Sequence, residues 1–75
     1  MRSTRLYLVD ILEAIAAIEE FVAGMDFETF RGDDKTSSAV IRKLEVIGEA
    51  AKQVPADIKQ KYSTVPWQRM AGMRD

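Results

Sequence analysis

The 75-residue chain contains no cysteine and no histidine, only two prolines, and no long apolar run. Without cysteine, these residues form neither a disulfide nor a thiolate metal site. The lack of histidine removes the commonest metal ligand and the usual general acid or base near neutral pH. We therefore expect no metal and no cofactor, and a fold held together by packing and association alone.

The sequence also lacks features of membrane, secreted and strongly basic proteins. No stretch of about 18 apolar residues is present, so no membrane span is predicted. Asp10 and Glu13 interrupt the apolar N-terminal run and no small-residue cleavage site follows, so we predict no signal peptide. The net charge of −1 is not the basic balance of a non-specific nucleic-acid binder, although it permits a local basic patch. These expectations indicate a soluble cytoplasmic protein.

Apolar residues recur at helical spacing in two long segments. From Ser3 to Ala23 they recur at steps of three and four residues and predict one apolar stripe on a helix that Gly24 is placed to terminate. The stripe consists of Leu8, Ile11, Leu12, Ile15, Ile18 and Val22. The second segment, Ala39 to Val54, ends at Pro55, which cannot continue a helical hydrogen-bond ladder. Its heptad pattern consists of Val40, Leu44, Ile47, Ala51 and Val54.

Two shorter helical segments follow the second long segment. Residues 57–62 predict a short helix, and Pro66 suits the first position of a further one. In that last helix Trp67, Met70 and Met73 are predicted to face the core together. The predicted fold is all-α, an antiparallel helical hairpin of the up-down bundle type with a third helix beginning near Pro66. Residues 1–75 are predicted to form a single domain.

Three features of the chain allow more than one interpretation. Phe27 and Phe30 either cover the end of the core or stack on bases, and the absence of a basic cluster around them favours the core. Gly48 either permits close approach of another backbone or is a tolerated helical glycine. Glu49, with Glu45, either lies on a solvated shoulder or points into a cleft and orients a catalytic arginine.

The two apolar stripes leave one side of a helical hairpin uncovered. The segment that begins at Pro66 covers part of it, and a further helix or a second copy of the chain must cover the rest. A chain of 75 residues buries too little surface to be more than marginally stable alone. We therefore expect a symmetric homodimer.

Three motifs resemble those of HepT-like proteins. Residues 38–54, with Ile47-Gly48-Glu49-Ala50 at their centre, resemble the second helix of that family. Val65-Pro66-Trp67 and Met73-Arg74-Asp75 resemble its proline-tryptophan turn and the motif helix that follows. Residues 7–12 also fit, so the resemblance covers essentially the whole chain. HepT-like proteins belong to the HEPN group of helical domains, which implies a HEPN-like fold.

The resemblance implies a metal-independent endoribonuclease toxin, partnered by a small nucleotidyltransferase antitoxin. The resemblance also implies a homodimer. Each copy contributes an arginine and, after four intervening residues, a histidine, and the two motifs face each other across the dimer cleft. The antitoxin is thought to attach AMP to a tyrosine beyond that histidine. Arginine offers a planar fork to phosphate oxygens, and histidine transfers protons near pH 7.

Arg74 matches the motif arginine, but the 75 residues include neither the motif histidine nor the tyrosine. The chain thus resembles a C-terminally incomplete family member, and we expect it to lack ribonuclease activity by itself. One alternative is a non-catalytic helical module that dimerises and serves as the substrate-binding partner of a nucleotidyltransferase. A second, an unrelated regulator that binds nucleic acid directly, is disfavoured by the balanced charge.

Overall fold

Five α-helices and no strand are found in residues 2–73, the part of the chain that the computed structural model describes. This confirms the predicted all-α fold. The helices are α1 (Thr4–Phe21), α2 (Phe27–Arg31), α3 (Asp34–Gln53), α4 (Ala56–Lys61) and α5 (Trp67–Gly72). Gly24, at φ +75°, reverses the chain after α1 in a conformation that favours glycine. No helix in this part of the chain is both long and apolar enough to cross a membrane.

Helices α1 and α3 form the antiparallel hairpin that carries the core. Tyr7, near the start of α1, lines the same pocket as Ala50, near the end of α3, which fixes the antiparallel order. The central cluster of buried residues comprises Ile11, Ala14, Ile47, Ala50 and Ala51. Because three of these five are alanines, the two backbones can lie close together, but the cluster holds little apolar volume.

The chain after α3 folds back so that α5 packs against α3. Trp67 and Met70 are half-buried against the central cluster, as predicted. The Trp67 Nε1–H donates to the main-chain oxygen of Tyr62 at 3.1 Å, which fixes the turn between α4 and α5. Met73, predicted to face inward with them, is instead 37% exposed. Two three-residue steps rotate a side chain by about 120° away from the first position, so the third residue leaves the core face.

Several apolar side chains remain in contact with solvent. Leu12 and Ile15, both in the predicted stripe of α1, are 66% and 41% exposed, and Ile41 on α3 is 57% exposed. Phe27 is 69% exposed, so only Phe30 partly covers the end of the core. The radius of gyration of 13.7 Å exceeds the value of about 11 Å expected for a compact chain of this length. The fold is therefore elongated.

Side-chain caps begin the first three helices. The Thr29 N–H donates to the Asp26 carboxylate at 2.8 Å, and the Thr36 N–H and hydroxyl donate to Asp33 at 3.0 and 2.8 Å. Ser3 accepts from the Leu6 N–H at 3.4 Å. These backbone hydrogen bonds hold the pKa of Asp26 and Asp33 below the ordinary value, because they favour the ionised carboxylate.

The Asp33 cap predicts a pH dependence of stability. Since its pKa is lowered by folding, its contribution is fully present above the ordinary value and is lost as pH falls through the folded pKa. The melting temperature should therefore decrease as the pH falls below about 4. The decrease should be less steep in Asp33→Asn, which keeps a capping oxygen but has no ionisable group. Circular dichroism melts between about pH 2 and pH 6 measure this. Glu20→Gln, which removes an exposed carboxylate with no capping role, should keep the wild-type pH profile; an equal flattening there would contradict the assignment.

Candidate functional site

A charged pocket of about 190 Å³ lies between the start of α1 and the second half of α3. It contains the predicted site residue Glu49. Three carboxylates and two guanidinium groups contribute to its wall, together with an aromatic ring and small apolar side chains. The lining residues are Arg2, Tyr7, Asp10, Arg42, Glu45, Val46, Glu49 and Ala50.

The α3 side of the pocket is built by helical spacing. Arg42, Glu45 and Glu49 are separated by three and four residues and therefore share one face of the helix. Glu45 is half-buried, whereas Arg42 and Glu49 are exposed. Glu49 is two residues after the buried Ile47 and therefore lies away from the packed face of α3, at the wall of the pocket. The interpretation of Glu49 as a cleft residue is thus compatible with its position.

The α1 side of the pocket was not predicted from the sequence. Arg2 donates to both Asp10 carboxylate oxygens, at 2.6 and 3.4 Å, and its guanidinium lies 5.2 Å from the centroid of the Tyr7 ring. The hydrogen bond with Asp10 raises the pKa of Arg2 further above its ordinary value. The only sequence signal was Asp10, a carboxylate within an otherwise apolar N-terminal run. Its partner lies eight residues away, beyond the usual helical pair spacing.

The predicted arginine of the site, Arg74, lies outside the described residues. Arg2 pairs with Asp10, and the other charged lining residues are Arg42, Glu45 and Glu49, so carboxylates outnumber guanidinium groups by one in the pocket wall. A carboxylate excess suits the holding and orienting of a guanidinium group, which forms bidentate hydrogen bonds with carboxylates. No group of three or more metal-ligating side chains able to hold an ion occurs in residues 2–73.

A second concavity lies at the turn between α4 and α5. This groove, of about 520 Å³, runs between α4 and α5 and is more open than the charged pocket. Pro66 and Trp67 contribute to its wall, with Lys59 and Arg69 beside them. None of the α1 residues of the charged pocket contributes to it, so the two are separate features of the surface.

Comparison with known proteins finds one matching family model and several similar sequences. The family model described as ribonuclease HepT-like matches residues 11–75. A probable ribonuclease HepT of Thermococcus cleftensis is 54% identical over 74 residues, which are 99% of this chain and 67% of that protein. A putative RNase of Methanocaldococcus jannaschii is 50% identical over 74 residues, 99% of this chain and 61% of its own length. A putative RNase of Caldanaerobacter subterraneus subsp. tengcongensis is 44% identical over 75 residues, 100% of this chain and 67% of its own. The chain thus spans about two thirds or less of the length of these curated relatives, and no solved structure matches it.

Proposed function

The chain belongs to the HepT-like ribonuclease family, and from this we propose that it carries the phosphate-binding half of a metal-independent endoribonuclease site. In this proposal Arg74 binds the scissile phosphate, and Glu49 orients the guanidinium group of Arg74. The observation that carries the proposal is the position of Glu49 in an acidic pocket on the family-matched helix. We propose further that the protein acts as the toxin of a toxin–antitoxin pair and that a small nucleotidyltransferase inhibits it.

The proposed reaction divides between two kinds of group. The 2′-hydroxyl of the RNA attacks the adjacent phosphorus, and the bond to the 5′-oxygen of the next nucleotide breaks. Arginine stabilises the negative charge that accumulates on the phosphate oxygens. A base must accept the 2′-hydroxyl proton and an acid must protonate the leaving oxygen. These 75 residues contain no histidine, so we propose that they do not cleave RNA unaided.

A chimera tests the proposal. In it, these 75 residues replace the matching segment of the Thermococcus cleftensis relative. We expect the chimera to cleave a fluorescent RNA in the presence of EDTA, to leave a 2′,3′-cyclic phosphate, and to spare an RNA with a 2′-deoxy sugar at the cleaved position. The 75 residues alone should leave the same RNA intact. Cleavage by the 75 residues, or by the chimera only when metal is added, would contradict the proposal.

The second candidate function is a non-catalytic helical module that binds a nucleotidyltransferase. The exposed apolar residues on the hairpin favour it, because such side chains are commonly covered by a partner. Under this alternative the chimera would fail to cleave RNA but would still dimerise and bind the nucleotidyltransferase. The same protein preparation therefore distinguishes the two functions.

We propose that the chain pairs with a second copy through Leu12, Ile15 and Ile41. Leu12 follows the buried Ile11, and Ile41 follows the buried Val40, a rotation of about 100° on each helix. Since α1 and α3 are antiparallel, the same sense of rotation carries both side chains to the same side of the hairpin. Asp10 and Val46, each one residue before a buried position, are rotated the opposite way and line the charged pocket together. The apolar surface is therefore on the side of the hairpin away from that pocket.

Substitution of Leu12 by lysine tests this surface. Leu12 is 66% exposed, so the variant should keep the helical fold while placing a charge at the centre of the proposed contact. We expect light scattering after size exclusion to give a mass of 8.5 kDa for the variant and twice that for the wild type. Phe27→Lys, at a position that is 69% exposed on α2, should stay dimeric.

A different outcome would point to another arrangement. The family resemblance implies that the two arginines face each other across the dimer cleft, an arrangement in which the two-fold axis lies near Glu49 instead. In that case Leu12→Lys would remain dimeric. A monomeric wild type would contradict both arrangements.

A further inference from the structure

The groove between α4 and α5 differs in chemistry from the charged pocket. Its lining includes the apolar residues Val65, Pro66 and Trp67, together with Lys59 from α4 and Arg69 from α5. Ser63 and the amides Gln60 and Gln68 add hydrogen-bonding groups along the wall. Its lining includes no acidic side chain among the described residues, in contrast to the charged pocket. The groove thus combines apolar and basic lining residues.

The groove lies at the positive end of a chain whose charges are unevenly divided. Between residues 50 and 73 there are four basic residues and one acidic residue, Asp57. Residues 2–49 carry six basic and ten acidic residues. The overall charge of −1 therefore hides a basic segment, which is a local electrostatic signature for an anionic ligand.

Aromatic surface accompanies these cations. Tyr62 is 52% exposed, and the Lys61 ammonium lies 5.6 Å from the centroid of its ring. Tyr62 immediately precedes Ser63, a groove-lining residue, and its main-chain oxygen accepts the hydrogen bond from Trp67, another lining residue. Cations that follow a phosphate chain, combined with an aromatic face for a base, are the usual elements of single-strand binding.

We infer that the α4–α5 groove binds single-stranded RNA through its phosphates, with Lys59 and Arg69 as the contacting cations. This inference rests on the proposed function and specifies the path of its substrate. Helix α5 lines the groove and ends at Gly72, two residues before Arg74. An RNA strand bound in the groove therefore lies along the helix that precedes the proposed phosphate-binding arginine in the sequence. The ligand is recognised by its charge spacing and exposed bases and not by one sequence.

Fluorescence anisotropy with a labelled oligouridine measures the binding. The 75-residue chain is titrated at several salt concentrations, as wild type and as the double variant Lys59→Gln, Arg69→Gln. Because each phosphate contact on a single strand contributes about 0.7 to the slope of log K against log salt, the slope should become shallower by about 1.4. The affinity at low salt should fall by about ten-fold.

A matched control removes the same charge elsewhere. Arg31→Gln with Lys35→Gln lowers the net charge equally, but both positions are exposed and lie at the other end of α3 from α4. This variant should retain the wild-type salt slope. An equal loss in both double variants, or no measurable binding by the wild type, would overturn the inference.

Two further measurements separate RNA from other polyanions and stacking from charge. Tyr62→Ser should weaken binding by about five-fold or more without changing the salt slope, whereas Tyr62→Phe should bind like the wild type. Polyglutamate of matched charge should compete poorly; equal competition would identify a general polyanion surface and overturn the assignment to RNA. RNA cleavage by the chimera is independent of these results, so a groove that fails to bind leaves the proposed catalytic site standing, and an inactive chimera leaves the binding result intact.

Discussion

Replacement of Ile47 by alanine is expected to lower the free energy of unfolding by about 2–5 kcal/mol. Ile47 is 3% exposed and lies in the central cluster, where its neighbours Ala14, Ala50 and Ala51 are too small to fill the space that it leaves. A chain of this length has a total stability of roughly 4–11 kcal/mol. The variant should therefore lose a large part of its stability, and its thermal midpoint should fall by about 10–30 °C.

The matched control is Ile41→Ala, the same change on the same helix at a position that is 57% exposed. At that site the expected loss is under about 0.5 kcal/mol, provided the protein is dilute enough that self-association contributes little. Chemical denaturation monitored by circular dichroism gives both values. Similar losses for the two variants would mean that Ile47 is not at the centre of the core.

Burial along α3 could be predicted because its apolar residues occupy one narrow stripe. Of the five heptad positions, Val40, Ile47, Ala51 and Val54 are buried, and Leu44 is partly buried against the cluster. Charged and polar residues fill most of the opposite face, so the apolar stripe turns inward, although Ile41 beside the stripe stays exposed. Pro55 then ends the helix within two residues of the expected boundary, because it removes a backbone donor.

Burial along α1 was harder to predict. Apolar residues cover more than half of its circumference, and the pattern does not say which of them meet α3. The structure buries Ile11 and Ala14 while Leu12 and Ile15, both in the predicted stripe, stay exposed. Close packing against the alanines of α3 favours the small side chain of Ala14 over the larger ones beside it.

The candidate site was predictable in part for a related reason. Glu49 and Glu45 share a face of α3 by spacing alone, so helical geometry was enough to group them. The α1 side of the pocket depends on how two helices align and on Arg2, which precedes the first turn of α1. Tertiary alignment of that kind leaves no local signature in a sequence.

The largest effect on activity is expected for Arg74→Ala in the chimera, a loss of about 100–1,000-fold in kcat for RNA cleavage. The proposed guanidinium stabilises charge that accumulates only in the transition state, so its removal lowers kcat more than it raises KM. Arg74→Lys keeps the charge but loses the planar fork that can contact two phosphate oxygens, and should restore only part of the activity. Circular dichroism of each variant verifies that the helical fold is retained.

The role proposed for Glu49 follows from the same series. Since Glu49 acts through Arg74, Glu49→Gln should lower kcat by about ten-fold or more in the parent chimera but have little further effect in the Arg74→Ala variant. Glu45→Gln, a matched change in the same pocket, should alter kcat by less than about three-fold, because that carboxylate is not assigned to the arginine. If the Glu49 and Arg74 effects multiply independently, Glu49 does not position Arg74. If Glu45→Gln is as damaging as Glu49→Gln, the acidity of the whole pocket matters, and not a specific pair.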